Sequence, residues 1–375
     1  MSHKKSIGLY VHIPFCLKKC NYCDFTSFSC ISEDVRAAYL NELSREILSY
    51  KKEPRISLDT VFFGGGTPSL LSADEFFTIC NAIAESFNLE PDAEFTVEVN
   101  PKTLTREKLN AYISGGVNRI SIGLQTIHDN EYKILGRIHN FEDFVSTYKM
   151  VRDAGITNIN VDLMYGIPGQ TSESLGKTLN EVISMRPEHI SAYGLILEEG
   201  TPLWKMKDAL IFPDGDEEFL LYEKICDVLK NSGYSHYEIS NYSLPGCECK
   251  HNLKYWHSDE YIGVGISAYS YFGGERFGNT NDLDVYLNQN STKYSYKEII
   301  DKEASMYEYV MLSLRLSEGF TLGEYSERYN CNFLETRKDM ILRFIESGYM
   351  KFDNERISLT EKGFYVSNAI LTELI

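Results

Sequence analysis

The amino-acid sequence predicts an α/β fold built on parallel strands. Six short apolar runs with strand character alternate with helical patterns, and glycine or polar residues follow several of the runs. Strand, helix and strand in this order form parallel sheets through right-handed crossovers. The periodicity is compatible with a barrel, a partial barrel and an open doubly wound sheet. A chain of 375 residues with 43% hydrophobic content can form one large domain and one or two smaller ones.

The six predicted strands share an apolar run bounded by turn residues: Ile7–His12, Asp59–Phe63, Glu94–Val99, Arg119–Gly123, Ile159–Leu163 and His189–Gly194. The helical patterns that follow the first five strands are Ser32–Lys52, Ser72–Phe87, Arg106–Ser114, Phe141–Ala154 and Glu173–Met185. Functional side chains are expected at the C-terminal ends of these strands, because the loops there meet at one mouth. Residues 1–213 are predicted to form this unit.

An extension is predicted after the sixth strand, at residues 214–298. It begins with a helix at Asp214–Ser232 and a strand at Tyr234–Ser240, and an irregular stretch then runs to about Asn281. We expect this extension to cap the barrel or sheet.

A small domain is predicted at residues 299–375. Helices from Ile299 lead to a hairpin at Tyr349–Leu359, and a last helix follows Thr360. This order is typical of a winged-helix-like α+β domain. Such domains often bind DNA, but the acidic charge of the chain favours a packing lid.

Three cysteines within eight residues form the most informative motif. Cys16, Cys20 and Cys23 are spaced C-x3-C-x2-C, so one short loop can direct three thiolates at one inorganic cluster. A cubane Fe–S cluster has four irons, so one iron stays unligated by this loop and can bind a small chelating ligand. The alternatives are buried thiols and a zinc site. Zinc commonly takes two separated C-x2-C pairs, and the sequence has no second pair of that kind.

The motif and its flanks resemble the radical S-adenosylmethionine (SAM) superfamily, in which C-x3-C-x2-C follows a strand and an aromatic residue precedes the third cysteine. Residues 10–16, Tyr-Val-His-Ile-Pro-Phe-Cys, are similar to the oxygen-independent coproporphyrinogen III oxidase group. Cys23-Asp24-Phe25 is similar to its HemW branch of heme chaperones. The resemblance implies a partial (β/α)6 barrel, with a [4Fe-4S] cluster on Cys16, Cys20 and Cys23 and SAM on the fourth iron.

The resemblance also implies a set of SAM-binding residues at the strand ends. These are Gly65, Gly66 and Thr67 in the run Gly-Gly-Gly-Thr-Pro, then Glu98, Gln125, Arg137 and Asp162, with Tyr10 and Tyr22 beside the nucleoside and the edge of the cluster. Glycines let a ligand approach the backbone closely. Carboxylates can bind ribose hydroxyls and an ammonium group, and Arg137 can pair with the methionine carboxylate. For any one charged residue alone, an ordinary surface ion pair is the alternative.

A second motif lies between Cys247 and Trp256. His251-Asn252-x-x-Tyr255-Trp256 resembles the His-Asn-x-x-Tyr-Trp motif of HemW-like proteins, in which the histidine is associated with heme. A neutral imidazole is a normal axial ligand for heme iron, and the two aromatic residues could form a wall for the macrocycle. Cys247 and Cys249 are alternatives, because they could supply a thiolate heme ligand or a second metal site.

The composition excludes some classes of partner. The chain has 37 Lys and Arg against 54 Asp and Glu, and its net charge of −17 opposes nonspecific attraction to nucleic acid or anionic lipid. A basic protein or a neutral small molecule is an easier partner. No run of 18 or more apolar residues and no signal segment before Tyr10 is present, so neither a membrane span nor export is expected. The nine cysteines are expected as reduced thiols or ligands in the cytoplasm.

The resemblance implies a HemW-like heme chaperone that binds a cluster, SAM and heme, and delivers heme to a respiratory or membrane-associated client protein. The alternative is a radical SAM enzyme acting on a porphyrin, either the oxidase or an enzyme that opens or methylates the heme ring. Phe25 replaces a fourth cysteine of the oxidase pattern, and only fifteen residues precede Cys16, so oxidase activity is not expected. A cluster-bearing interaction protein without SAM is a further alternative, which Gly65, Glu98, Gln125 and Asp162 disfavour.

Overall fold

The computed structural model describes residues 6–52, 54–288 and 294–374. Up to residue 213 the strands are β1 (Ile7–Ile13), β2 (Phe15–Cys16), β3 (Phe28–Ser29), β4 (Ile56–Gly65), β5 (Phe87–Val99), β6 (Arg119–Gln125), β7 (Asn158–Tyr165) and β8 (His189–Gly194). The helices of this part are α1 (Glu33–Leu48), α2 (Ala73–Ser86), α3 (Arg106–Ser114), α4 (Asp129–Leu135), α5 (Phe141–Asp153), α6 (Ser172–Ser184) and α7 (Pro202–Lys205). The six predicted strands are all present.

Two predicted helix starts are N-caps rather than helical residues. The Ser32 hydroxyl accepts a hydrogen bond from the Val35 N–H at 3.3 Å, and the Ser72 hydroxyl accepts one from the Glu75 N–H at 3.2 Å. A cap has extended backbone but satisfies a free N–H of the first turn, so the helix itself begins one residue later. The first helix was also predicted too long, since α1 ends at Leu48.

The middle of the chain is more regular than predicted. It contains α8 (Gly215–Asn231), β9 (Ser235–Glu238), β10 (Asn241–Ser243), α9 (Lys250–Trp256), β11 (Tyr261–Val264), β12 (Tyr269–Phe272), β13 (Glu275–Asn279), α10 (Leu283–Leu287) and β14 (Tyr294–Ile299). The expectation of an irregular stretch up to Asn281 was wrong. Its strands have only three to five residues, which is too short for a clear periodicity. Gly273 and Gly274 form the tight turn between β12 and β13 with positive φ.

One large sheet organises the barrel. Its order is β14-β13-β12-β11-β1-β4-β5-β6-β7-β8-β10-β9, and the block from β11 to β8 is parallel throughout. Among the described strands, β14 and β9 are the two edges, so the barrel is partial. The predicted partial barrel of six parallel strands is confirmed, and β11 adds a seventh parallel strand beside β1.

The parallel strands present polar residues on one face and apolar residues on the other. On β6, the buried side chains of Ile120 and Ile122 belong to the hydrophobic core, whereas Arg119 and Ser121 line a cavity inside the barrel. Successive strand residues point to opposite faces, so this alternation gives the barrel an apolar shell and a polar interior.

The C-terminal part has the predicted winged-helix-like order. Its elements are α11 (Lys302–Ser313), β15 (Phe320–Thr321), α12 (Leu322–Tyr329), α13 (Leu334–Glu346), β16 (Met350–Asp353), β17 (Arg356–Leu359), α14 (Glu361–Tyr365) and α15 (Ser367–Leu374). The predicted hairpin is present, and Asn354 and Glu355 turn it with positive φ. The predicted domain limits at residues 1 and 375 lie outside the described residues. Within the described residues, none of the helices is long and apolar enough to cross a membrane.

Candidate cofactor site in the barrel

The loop that carries the three cysteines is closed at its base by a short pair of strands. β2 and β3 pair Phe15 with Phe28 and Cys16 with Ser29, and the Phe28 N–H donates to the Pro14 carbonyl at 2.7 Å. Phe15 is buried, with the Arg36 guanidinium 4.5 Å from the centroid of its ring. The residue before the first cysteine is therefore anchored in the core, and the cysteine loop, residues 16–25, leaves the barrel from a fixed point.

Two further hydrogen bonds hold this loop. His12 Nε2 lies 2.8 Å from the Thr26 carbonyl oxygen, so this nitrogen donates to the far end of the loop. The Tyr39 hydroxyl donates to the His12 carbonyl at 2.8 Å. His12 therefore connects the strand before the cysteines to the residue that follows the loop. Burial lowers the pKa of His12, so the imidazole is neutral at pH 7.

Cys16, Cys20 and Cys23 are free thiols that lie near one another at the mouth of the barrel. Burial raises the pKa of the Cys23 thiol, and the neighbouring Cys20 and Cys16 sulfurs raise it further. Bound iron would reverse this effect, because a cation stabilises the thiolate form. No three His, Cys, Asp or Glu side chains of the described residues converge closely enough to hold a single metal ion. A cubane cluster does not need such convergence, since each cysteine binds a different iron.

Gly65 and Gly66 pack against the base of the cysteine loop. A Cβ on Gly66 would lie 2.8 Å from the Phe15 carbonyl oxygen, and one on Gly65, which has a φ of +109°, would lie 2.5 Å from His12 Cε1. The Gly66 N–H also donates to the Ile13 carbonyl at 2.9 Å. Close packing therefore requires glycine at both positions, whether or not a ligand binds there. The sequence did not reveal this packing.

A hydrogen-bonded chain connects the glycine run to the second cysteine. The Thr67 hydroxyl lies 3.7 Å from Cys16 Sγ and accepts a hydrogen bond from Asn100 Nδ2 at 2.9 Å. Arg137 Nη2 donates to Asn100 Oδ1 at 3.1 Å and to the Gly123 carbonyl, while Arg137 Nη1 lies 3.8 Å from Cys20 Sγ. The predicted residues Thr67 and Arg137 thus meet through Asn100, a residue that was not predicted.

Tyr22 and Gln125 also lie at the mouth. Tyr22 packs against the small apolar cluster of Leu135, Met164 and Ile167, and burial raises the pKa of its hydroxyl despite the nearby Arg137. Gln125 ends β6 with a φ of +75°. A non-glycine residue in this left-handed region is strained, and such strain is concentrated at functional sites.

Tyr10, Glu98, Asp162 and His251 line a cavity of about 200 Å³ deeper in the barrel. Burial and the Asp162 carboxylate raise the pKa of Glu98 to about 8, and burial raises the pKa of Asp162. Glu98 Oε2 accepts a hydrogen bond from the Gly65 N–H at 3.2 Å, which connects the cavity to the mouth. The predicted SAM residues therefore form two groups, one at the mouth and one below it.

Several polar residues of this cavity were not predicted. They are Arg119, Ser121, Asn160, Ser191 and Tyr193, and Asn252 of the predicted motif lines the cavity with them. Ser121 and Asn160 both donate to the Asp162 carboxylate, at 3.1 and 2.8 Å. The signal was present in the sequence as polar residues two apart within apolar strands, such as Asn160 and Asp162 on β7.

Helix α9 carries the His-Asn-x-x-Tyr-Trp motif and lies inside the barrel. Its neighbours are the N-terminal end of β1, the first half of β4 and the middle of β5 around Glu94. The Glu94 carboxylate accepts hydrogen bonds from the backbone N–H groups of Lys250 and His251, at 3.0 and 3.1 Å. Lys254 forms an ion pair with Asp59 at 2.8 Å and donates to the Ser6 carbonyl. An acidic side chain at the N-terminus of α9 satisfies its free N–H groups, so the helix is held firmly in this position.

His251 is 1% exposed, and both of its ring nitrogens have hydrogen-bond partners. Nδ1 lies 2.9 Å from the Thr60 hydroxyl and Nε2 lies 2.8 Å from the Tyr255 hydroxyl. Burial, with Lys254 and Arg119 nearby, lowers the pKa of His251 to about 3, so the ring is neutral. Coordination of heme iron by His251 therefore requires one of these two hydrogen bonds to break.

The competing thiols differ in exposure. Cys249 is fully buried, and its thiol donates to Glu94 Oε1 at 3.5 Å. Burial raises the pKa of Cys249 to about 12. Cys247 is only half-buried, and its pKa is also raised by burial and by Glu188. Neither environment favours a thiolate at neutral pH.

The chain matches known families along most of its length. Residues 10–182 match the radical SAM superfamily, and residues 300–366 match the HemN C-terminal domain. The heme chaperone HemW of Lactococcus lactis subsp. lactis is 35% identical over 375 residues, with 99% of this chain and 98% of the relative covered. The chain belongs to the HemW family of the radical SAM superfamily. HemW of Bacillus subtilis is 33% identical, with 96% of this chain and 97% of the relative covered.

A solved structure supports the fold of this HemW-family chain. The coproporphyrinogen III oxidase HemN from Escherichia coli has a TM-score of 0.86 and 23% sequence identity, and the match covers 98% of this chain and 90% of that chain. At this identity the likeness concerns the fold alone. It agrees with the partial barrel and the C-terminal domain described above.

The HemW-family chain also has a wide groove beside the cysteine loop. The groove has a volume of about 820 Å³, and the aromatic rings that line it include those of Tyr10, Phe25, Tyr255, Trp256, Tyr261 and Tyr269. We call it the aromatic groove. Tyr10 and Tyr255 line both this groove and the interior cavity, so the two spaces adjoin at these side chains.

Proposed function

We propose that this HemW-family chain is a heme chaperone that binds a [4Fe-4S] cluster, SAM and heme, and delivers heme to a client protein. The observation that carries the proposal is the meeting of the three loop cysteines with Thr67, Asn100 and Arg137 at the mouth of a partial barrel. Relatives with more than 30% identity over nearly the whole chain include the heme chaperones HemW of Lactococcus lactis subsp. lactis and Bacillus subtilis, which supports the heme part.

The residues present fit a cluster at the mouth. Cys16, Cys20 and Cys23 would hold three irons, and the cluster would supply a fourth iron with an open position for a chelating ligand. The protein itself anchors the cysteine loop through Phe15 and directs the Arg137 guanidinium towards Cys20. Partly buried thiols without disulfide partners support this assignment.

The residues present also fit SAM. Arg137 has a buried Nε without a hydrogen-bond partner, and a guanidinium is suited to the methionine carboxylate. Glu98 and Asp162 are acceptors for hydroxyl and ammonium groups, and burial and Asp162 raise the pKa of Glu98 to about 8 although Arg119 lowers it. An ammonium group would compensate the Glu98 carboxylate.

The net charge of the chain and its free cysteines bear on which client protein it meets and where. A net charge of −17 favours a basic surface on the client, and no site for nucleic acid is proposed. The client is a heme protein of the respiratory chain or another heme acceptor, soluble or bound to a membrane. Nine free cysteines favour a reducing compartment, so we assign the protein to the cytoplasm.

The second candidate function is an oxygen-independent coproporphyrinogen III oxidase. The two proteins share a fold, but Phe25, which is 69% exposed on the cysteine loop, stands where the oxidase pattern has cysteine. Anaerobic reconstitution with iron and sulfide, followed by spectra with SAM, heme and coproporphyrinogen III in turn, separates the two. We expect cluster absorbance, spectral changes with SAM and with heme, and no protoporphyrinogen. Many turnovers of coproporphyrinogen III per chain would contradict the chaperone function.

A further inference from the structure

We infer that the heme macrocycle lies in the aromatic groove, between the cysteine loop and the extension formed by β11, β12 and β13, and is held mainly by its flat faces. The inference rests on the proposed heme chaperone function and names the site where that function takes place. It does not require His251 to coordinate the iron.

The size of the two spaces favours the groove. Ligand sites of proteins commonly have volumes of about 300–1,000 Å³. The aromatic groove, at about 820 Å³, lies within this range, whereas the interior cavity beside His251, at about 200 Å³, lies below it. The groove therefore has room for a tetrapyrrole, whereas the cavity beside the buried imidazole is smaller than an ordinary ligand site.

The groove has the surface that a flat, apolar ligand requires. Phe25 is 69% exposed and Tyr269 is 51% exposed, and they stand on different elements of the groove wall. Exposed aromatic side chains around one concavity are typical of a binding site, because their burial by a ligand is favourable. The Thr26 hydroxyl is hydrogen-bonded to the Ser267 hydroxyl at 2.8 Å, so the loop and the extension are held together as one groove.

Phe25, which lines this groove, is the residue that differs from the cysteine of the oxidase pattern. A cysteine at this position would offer a reactive thiol to a ligand in the groove, whereas phenylalanine offers an inert apolar ring. The Lys19 ammonium donates to the Phe25 carbonyl at 2.9 Å, so a positive charge that can pair with a propionate lies beside Phe25. A protein that carries an intact macrocycle needs an inert ring that stacks on the macrocycle rather than a thiol that reacts with it.

Among the described residues that line the groove, no histidine has a free ring nitrogen. His12, the histidine that lines it, uses Nε2 for the Thr26 carbonyl and has Nδ1 3.1 Å from the Tyr10 hydroxyl. Most of the affinity should then reside in the macrocycle rather than in the iron. Iron-free protoporphyrin IX is therefore expected to bind within about tenfold of heme.

The test uses the anaerobically reconstituted protein, with its iron and sulfide content measured. Heme and protoporphyrin IX are titrated separately into wild type and into the Phe25→Ala and Tyr269→Ala variants. Loss of one stacking ring is expected to weaken each ligand about tenfold. The matched control is Phe352→Ala, which removes a 46% exposed ring on β16, far from the groove in the chain, and should leave both affinities unchanged.

The two groove variants make the test independent of cluster damage, because Tyr269 belongs to β12 and not to the cysteine loop. If wild type binds heme but both variants bind it with unchanged affinity, the groove is not the site, and the proposed function stands. Binding of heme but not of protoporphyrin IX, with the affinity lost in His251→Ala, would overturn the inference in favour of iron coordination. If wild type binds neither ligand, the proposed function itself fails.

Discussion

The His251 imidazole and the Tyr255 hydroxyl, one turn apart on α9, are hydrogen-bonded at 2.8 Å inside the barrel. Tyr255 lines both the interior cavity and the aromatic groove, so this bond orients a ring at which the two spaces adjoin. The histidine of the motif can therefore act on heme binding through Tyr255, as a positioning residue. This role differs from axial coordination in what it predicts for the absorption spectrum of bound heme.

We predict that His251→Ala weakens heme binding about tenfold without changing the spectrum of the heme that still binds. The reason is that the imidazole orients Tyr255 through one hydrogen bond, whose loss costs about 0.5–1.5 kcal/mol, and leaves a buried hydroxyl without a partner. Absorption titrations measure both the affinity and the spectrum. Tyr255→Phe, which removes the same hydrogen bond from the other side, should have a similar effect. A changed axial-ligand spectrum in His251→Ala alone would instead identify His251 as the ligand.

Replacing Cys20 by Ser should abolish the cluster and leave the protein folded. The Cys20 side chain lies in the loop at the mouth, where it contacts Arg137, and it is not part of the hydrophobic core. Iron and sulfide analysis after anaerobic reconstitution, with circular dichroism for the fold, provides the measurement. Cys331→Ser, a change at a cysteine of the C-terminal domain, is the control and should retain the full content. A Cys20→Ser protein with unchanged iron and sulfide would refute the ligand assignment.

Arg137→Lys is expected to weaken SAM binding at least about tenfold. The guanidinium donates to Asn100 and Gly123 and reaches Cys20 at the same time, and a single ammonium group cannot reproduce this fork. A hydrogen bond to a charged group contributes about 1.5–3 kcal/mol, which is a tenfold change or more. Equilibrium dialysis with SAM under anaerobic conditions measures the effect. Arg106→Lys on the exposed side of α3 is the control, and equal affinities of the two variants would contradict the prediction.

Glu98 should make the protein without SAM less stable as the pH rises. Its pKa is about 8 in the folded protein, above the ordinary 4.5, so the folded state binds a proton that the unfolded state has released. The stability is highest below about pH 4.5 for this group and falls as the pH rises to about 8, by at most about 1.4 kcal/mol per pH unit. Urea unfolding at pH 5.5, 7 and 8.5 should show a weaker fall in Glu98→Gln. The control is Glu85→Gln, an exposed carboxylate, and an unchanged pH slope in Glu98→Gln would contradict the prediction.

The elements that the sequence predicted well have a strong local signal. The strand around Ile120 and Ile122 and the helix Arg106–Ser114 were predicted because their apolar residues recur at the spacing of a strand and of a helix. Strands β11 to β13 were not predicted, because a strand of four or five residues contains only about two repeats of the two-residue alternation. Arg119 and Asn160 were missed for another reason: a polar residue in a strand indicates solvent or a polar interior equally, and only barrel closure makes the distinction.

The sequence by itself determined that Cys16, Cys20 and Cys23 share one loop after a strand, because all three ligands are neighbours along the chain. It also determined the parallel sheet, since each crossover is a local unit of strand and helix. Only the tertiary structure decided the position of His251, inside the barrel and hydrogen-bonded on both sides. The partners that place it, Thr60 and Glu94, are 191 and 157 residues away, and no local pattern encodes a contact over that distance. The aromatic groove is decided in the same way, because Phe25 and Tyr269 become neighbours of one concavity only when β11 pairs with β1.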